Sequence, residues 1–330
     1  MPTNAEAGGA VTNGGAAANG GAATNGGTVA AGAAGTLTIG GDLVVNRIGY
    51  GAMQLTGAQV WGEYPDRDAG IALLREVVAA GVTFIDTADV YGPHANELLI
   101  RDALHPYPEG LVIATKGGFV RGGYDYSTLG AVGNPNYLRQ SAHMSARRLG
   151  VERIDLYYLH SGRAADAPFE EQIATLAELR EQGLIRHIGL SNVTLEQFRT
   201  AQGIVDIAAV TALYNVSNRA GVEQVPTSRA GAELLAAAEA SAVVFSPWHP
   251  VSIADGGDPD RITAALEPIA RRHDATVRQI ALAWQLHRSP VILPIPGTTS
   301  PAHLRENLAA AALRLTPEEV ATITALVPES

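Results

Sequence analysis

The chain is 330 residues long, carries a formal net charge of −10, and combines 46% hydrophobic residues with no cysteine at all. Its mean hydropathy of +0.07 and isoelectric point near 5.4 describe a soluble globular protein, and no run approaches the ~18 apolar residues of a membrane span. The acidic balance argues against nucleic acid or an anionic membrane as a partner. The missing cysteine excludes disulfides, thiol nucleophiles and thiolate metal sites. What these properties leave is a small-molecule partner, no metal, and a chain suited to the cytoplasm.

Residues 1–35 are a Gly/Ala/Asn/Thr tract without an apolar block. Such a tract cannot bury enough surface to offset the entropy of ordering, so it is expected to be a disordered, dispensable tail. It also lacks the charged start and apolar middle of a secretory signal. Residues 36–330 read as one domain. Leu37 to Val45 alternates around Gly40-Gly41-Asp42 and predicts a β-hairpin. Arg47 to Met53 predicts a buried strand thinned by glycines.

Helical spacing runs from Ala69 to Ala80 and stops at Gly81, and Val82 to Ile85 is a strand. A helix over 96–104, a strand over 111–115 and a helix over 135–149 ending at Gly150 follow. The Gly-rich stretch 121–130 between them reads as a loop. Strand 154–159, helix 169–181, strand 185–190, helix 195–202 and strand 209–214 continue the alternation. Residues 230–240 lead to a strand over 243–245, helices at 261–273 and 277–286 precede a strand at 291–295, and helices over 302–313 and 317–326 end the chain. About eight strand–helix units, with strands apolar on both faces, predict a parallel sheet closed into a (β/α)8 barrel. The doubly wound alternative lacks its Gly-x-Gly-x-x-Gly fingerprint.

Within that pattern, the apolar run at 83–85 breaks into Asp86, and Tyr91 stands five residues later before a Gly-Pro turn. The run at 111–115 ends in Lys116, the only lysine of the chain; the other 22 of its 23 basic residues are arginines. A position that keeps lysine where arginine is otherwise used needs a compact ammonium. An Asp–Lys pair beside a tyrosine suggests proton chemistry, with Lys116 lowering the Tyr91 pKa and Asp86 fixing the lysine. A structural ion pair beneath a core tyrosine would leave the same residues, but all three together favour chemistry. His160 and Ser191-Asn192 also end strands, and barrel active sites form at that rim. His94, His105, His187, His249 and His287 have no such company and read as structural.

These residues resemble the aldo-keto reductase family over roughly 37–326, through Asp86-Thr-Ala-Asp-Val-Tyr91-Gly, Ala114-Thr-Lys116, Asp155-Leu-Tyr-Tyr-Leu-His160, Gly189-Leu-Ser191-Asn192 and Ile295-Pro-Gly-Thr with Glu306-Asn307. The resemblance implies a catalytic set of Asp86, Tyr91, Lys116 and His160, and an NAD(P)H-dependent reduction of an aldehyde or ketone with Tyr91 as general acid. A non-catalytic cofactor-binding regulatory subunit, or the same site working as an alcohol dehydrogenase, are the alternatives. The resemblance further implies a cofactor site of Gly51, Met53, Asp86, Ser191, Asn192, Thr211, Phe245, Ser246, Gly297, Thr298, Thr299, His303, Glu306 and Asn307, with Phe245 stacked on the nicotinamide ring. Trp61, Tyr91, His160 and Trp248 would form the substrate pocket, with Tyr64, Tyr124 and Tyr126 as further aromatic walls for a ring-bearing carbonyl. The sequence departs from the family in two places. Thr211 replaces the glutamine commonly used for the carboxamide, and Gly297 and His303 stand where many members carry Lys and Arg for the 2′-phosphate. NADPH is therefore the expected cofactor, with a reduced margin over NADH.

Overall fold

A computed structural model describes residues 31–219, 231–256 and 258–327. The predicted tail lies outside the described residues up to position 30, but its last five residues do not behave as a tail. Ala31–Ala34 form one 3-10 turn, and the Ala31 N–H donates to Ala80 O at 3.1 Å. Ala31 is fully buried, against Val77 and Ala311 among others. Methyl side chains are small enough to seat there, so residues 31–35 belong with the packed domain and not with a tail.

The hairpin forms as expected from β1 (Thr36–Ile39) and β2 (Leu43–Asn46), joined through Gly40 and Gly41, both at positive φ. The barrel strands are β3 (Tyr50–Gly51), β4 (Phe84–Asp86), β5 (Val112–Gly117), β8 (Ile154–Leu159), β9 (Ile185–Ser191), β10 (Ile207–Leu213) and β11 (Val244–Trp248). They pair in that order, and every pairing is parallel. The eighth position belongs to residues 291–295, which make one bridge, Phe245 to Ile292. Three hydrogen bonds hold them: Phe245 N to Val291 O, Leu293 N to Phe245 O and Gly49 N to Pro294 O, all 2.9 Å. Pro290, Pro294 and Pro296 have no N–H to give, so this strand closes the barrel without a full ladder.

Helices α1 (Arg67–Ala79), α2 (Ala95–Leu104), α3 (Pro135–Leu149), α4 (Phe169–Glu181), α5 (Leu195–Gln202), α6 (Gly231–Ser241), α7 (Pro259–Arg272), α8 (Val277–Arg288), α9 (Pro301–Ala309) and α10 (Pro317–Thr324) cover the outside. Their ends follow local chemistry. Thr194, Thr276 and Thr316 each open a helix with a reciprocal capping box. The stretch 121–130, read as a loop, is the connection of a second hairpin, β6 (Phe119–Arg121) with β7 (Leu129–Ala131), whose strands take in Arg121 at one end and Leu129 and Gly130 at the other. Its glycines mask the alternation that marks a strand.

Strand parity decides what faces the axis. Phe84, Val112, Ala114, Leu156, Tyr158, Ala209, Val244 and Leu293 form one apolar cluster with Ile39, Leu43 and Val45 of the hairpin. That cluster is the barrel interior, and the hairpin plugs its lower end. Two residues further along the strands, the inward positions are Asp86, Lys116, His160, Ser191, Thr211 and Ser246.

Candidate active site

Polar groups at the top of an apolar barrel are buried from below and open only towards the rim. Asp86 and Lys116 are each about 3% exposed and His160 is 6% exposed. Lys116 Nζ donates to Asp86 Oδ1 and, at 2.8 Å, to Thr87 O. It lies 5.3 Å from the Tyr91 ring centroid and 5.8 Å from that of Tyr158. The Tyr91 ring meets His160 edge-on at 6.0 Å, and Phe119 also meets the imidazole edge-on, at 4.7 Å. The four residues expected to act together therefore share one small volume.

Burial governs their protonation. It raises Asp86 above the usual carboxylate range and pulls Lys116 below the usual ammonium range, while their mutual attraction opposes both. His160 is held well below the ordinary imidazole value by burial and by the Lys116 charge, so it is neutral. Tyr91 differs from expectation. Burial first, and then the charges of Asp86 and Asp89 and the neighbouring Tyr126, raise it well above the ordinary phenol value. In this state of the protein Lys116 does not bring the tyrosine down; Tyr91 is a phenol that keeps its proton.

The segment carrying Tyr91 is fixed from behind. Asn96, fully buried on α2, donates to Ala52 O at 2.9 Å and Leu55 O at 2.8 Å, and accepts from Thr87 Oγ1 at 2.6 Å. Asp89 N donates to Lys116 O at 3.0 Å. Ser141 Oγ donates to Asp89 Oδ2 at 2.6 Å, and Tyr157 lies 3.0 Å from that hydroxyl. None of Asn96, Ser141 or Phe119 was singled out as a site residue from the sequence. Asn96 is the one with a visible signal, an amide on the apolar side of a helix.

Ser191, Thr211 and Ser246 lie on one rung, because Thr211 pairs with both of the others. Asn192, at φ 52, donates from Nδ2 to Ser191 Oγ at 3.0 Å and accepts from Trp248 Nε1 at 3.1 Å. Phe245 is misplaced by the sequence reading. It is one residue out of phase with Val244 and Ser246, fully buried among residues that face the helices, and packed edge-on to Tyr214 at 5.7 Å. It cannot stack on a ligand in the barrel mouth. Trp248, the next rim residue of β11 that shares the parity of Ser246, is the aromatic that reaches the site.

Gly51 and Gly297 meet where β3 and the last strand end. A Cβ on Gly51 would stand 2.8 Å from Ile295 O, and one on Gly297 would stand 2.7 Å from Gly51 O. Beyond them, Ser300 caps α9 by accepting from His303 N. Thr298 O accepts from Tyr50 at 2.6 Å, Thr299 and His303 are exposed, and Met53 is partly exposed on the facing loop. Arg305 is committed to Glu76 at 2.5 Å, and Glu306 accepts from Thr276 Oγ1 at 2.6 Å, tying α9 to α8. Asn307 is buried. Of the predicted pocket, Tyr91 and His160 are in contact. Trp61 stands on the loop above them and Trp248 on the far side beside Asn192.

Comparison with known proteins decides what this constellation is. The family model described as aldo/keto reductase family matches residues 47–328. The chain belongs to the aldo/keto reductase family. An uncharacterized oxidoreductase of Schizosaccharomyces pombe is 42% identical over 291 residues, covering 88% of this chain and 89% of that protein. Pyridoxine 4-dehydrogenase of Escherichia coli is 40% identical over 302 residues, covering 90% and 100%. Among solved structures, a thermostable aldo-keto reductase in complex with epalrestat superposes with a TM-score of 0.74 at 28% identity, over 88% and 99% of the two chains. An aldo-keto reductase from Klebsiella pneumoniae in complex with NADPH gives 0.70 at 25%, over 88% and 94%. This aldo/keto reductase is thus an oxidoreductase.

The rim fits a nicotinamide nucleotide. Ser246 Oγ and His160 Nδ1 are buried polar atoms without a partner among the described residues. The glycine contact leaves no side chain between Gly51 and Gly297, and α9 opens its N-terminal amides on the same edge.

Proposed function

We propose that this protein reduces an aldehyde or ketone to the alcohol with NADPH as reductant, NADH being the alternative, and with Tyr91 as general acid. The observation that carries the reading is the inward layer of Asp86, Lys116 and His160 directly beneath Tyr91. Ser191, Asn192, Thr211 and Ser246 would hold the carboxamide end of the cofactor. Residues 297–303 would receive its phosphates through backbone N–H groups. The bound nicotinamide supplies hydride to the carbonyl carbon.

The chain's own residues handle the proton. As electron density collects on the substrate oxygen, Tyr91 gives its phenolic proton to that oxygen, and the alcohol forms. Before that step, burial and the Asp86 charge keep the proton on Tyr91. After it, the Lys116 ammonium 5.3 Å from the ring stabilises the tyrosinate. Neutral His160 can donate an N–H to the same oxygen without competing as an acid, and so orients the carbonyl. The reverse path, alcohol oxidation, uses the same groups in the other protonation states.

NADPH as cofactor is supported by the structural neighbour that holds it. A ring-bearing substrate is supported by the aromatic rim and by the relative named pyridoxine 4-dehydrogenase. The cytoplasm is the proposed compartment, which a cysteine-free chain suits. The test is a panel of propanal, benzaldehyde and pyridoxal, followed by nicotinamide absorbance with each cofactor. Turnover of at least one carbonyl, faster with NADPH, is expected. Tight NADPH binding with no turnover of any would favour the non-catalytic subunit.

A further inference from the structure

Three separate segments meet at the mouth of the barrel: residues 58–62, the Tyr91-Gly92 turn, and the β6–β7 hairpin. Each touches the site. Gly92 N donates to Val60 O, and Gly62 N donates to Gly92 O, both at 3.2 Å, so the first loop is bound to the residue that follows Tyr91. The hairpin starts with Phe119 on His160 and carries Tyr126 close enough to Tyr91 to raise its pKa.

One side chain joins these segments. Arg121 Nη1 donates to Gln59 O at 2.9 Å and Val60 O at 3.2 Å, and Nη2 donates to Tyr124 O at 2.7 Å. The guanidinium also lies between two rings, 5.3 Å from the Trp61 centroid and 5.1 Å from that of Tyr126. No carboxylate pairs with it among its described hydrogen bonds and ion pairs. Both terminal nitrogens donate to loop carbonyls and its faces go to aromatics, which is the use of arginine that lysine cannot copy. The loop it grips is strained. Gln59 and Val60 stand at φ 60 and 55, and a β-branched residue adopts that conformation only where surrounding contacts over-determine it. Tyr126 keeps 43% of its surface exposed, so the rings do not bury one another.

We propose that Arg121 is a positioning residue that sets specificity, holding Trp61 and Tyr126 as a preformed wall for ring-bearing carbonyls above Tyr91. This rests on the carbonyl-reductase reading. Without the guanidinium, Gln59 and Val60 relax out of the left-handed conformation and the wall loses its shape. A ring-bearing substrate then loses its contact surface, whereas a small aldehyde, held by Tyr91 and His160, does not.

The experiment compares benzaldehyde with propanal in the wild type, Arg121→Met, Arg121→Lys and Trp61→Leu, together with NADPH affinity by fluorescence titration. In Arg121→Met the benzaldehyde KM is expected to rise about tenfold, the scale of losing one apolar contact in a pocket. Its kcat, the propanal kcat/KM and the NADPH Kd should stay within about twofold of wild type, since neither the proton donor nor the cofactor edge is altered. Arg121→Lys should reproduce the KM rise, because an ammonium cannot bridge three carbonyls and fill the space between two rings. Trp61→Leu removes one face of the sandwich and leaves the fork. It should raise the benzaldehyde KM by a similar factor, and it keeps the test falsifiable if an Arg121 variant does not fold. Equal losses on both aldehydes, or an unchanged benzaldehyde KM, overturn the proposal while leaving carbonyl reduction intact. Wild-type protein that reduces neither aldehyde overturns the underlying reading and the proposal with it.

Discussion

Replacing Asp89 with asparagine should change how stability depends on pH. Asp89 is 2% exposed. Its pKa is pushed up to about 7 by burial and by the neighbouring Glu97, against the hydrogen bond from Ser141 and the Arg148 charge. Tyr137, at 3.4 Å from Oδ2, and Tyr157 complete its surroundings. Because the folded value lies above the ordinary 3.8, the folded protein holds a proton that the unfolded chain has released. The stabilisation is complete below about pH 4 and is lost as pH rises through about 7. Integrated from pH 8 down to pH 5, that linkage amounts to roughly 2–3 kcal/mol. Asparagine has no such proton. Its oxygen can accept from Ser141, and its nitrogen takes the place of Oδ1, which has no partner among the described residues; any cost of that exchange is the same at every pH. Urea denaturation of both proteins at pH 5, 6.5 and 8 measures the effect. The variant should gain about 2–3 kcal/mol relative to wild type on going from pH 5 to pH 8. Parallel stability profiles would show that Asp89 is already ionised in the folded protein, and the reasoning from burial would fail.

Two other substitutions probe the support of the site and the cofactor edge. Asn96→Ala strands Leu55 O and the Thr87 hydroxyl, while Ala52 O keeps the Leu55 N–H at 2.9 Å, and should cost roughly 2 kcal/mol or more, lowering Tm by several degrees; a loss under about 1 kcal/mol would mean the amide does not hold the Tyr91 segment. His303→Arg places a guanidinium beside the capped start of α9, where Arg305 is unavailable because it pairs with Glu76. The ratio of kcat/KM for NADPH over NADH should rise about tenfold, and an unchanged ratio would place the 2′-phosphate elsewhere.

The parts of the fold that are local in origin were legible from the sequence. Glycines at 81, 150 and 183, all at positive φ, marked helix ends because the left-handed residue they supply terminates a helix. Apolar runs breaking into Asp86, Lys116 and His160 located the rim, since a buried strand carries a polar side chain only where it emerges. Phe245 was misassigned because the sequence does not show parity in a strand apolar on both faces, and a shift of one residue exchanges the two faces. Arg121 could not be read because its partners are backbone carbonyls, 61 and 62 residues away for two of them, and carbonyls carry no sequence signature. The direction of the Tyr91 shift was missed for a related reason: burial outweighs the lysine, and burial depends on the whole barrel.

The most direct test of the account is Tyr91→Phe, which removes the phenolic proton and leaves the ring beside His160. NADPH affinity, measured by fluorescence titration, should match wild type, because no cofactor contact is assigned to the hydroxyl. Turnover of the best carbonyl should fall by about 10²–10⁴-fold, the usual worth of a general acid. Turnover within a few fold of wild type, with NADPH still bound, would contradict the assignment of Tyr91 as the proton donor.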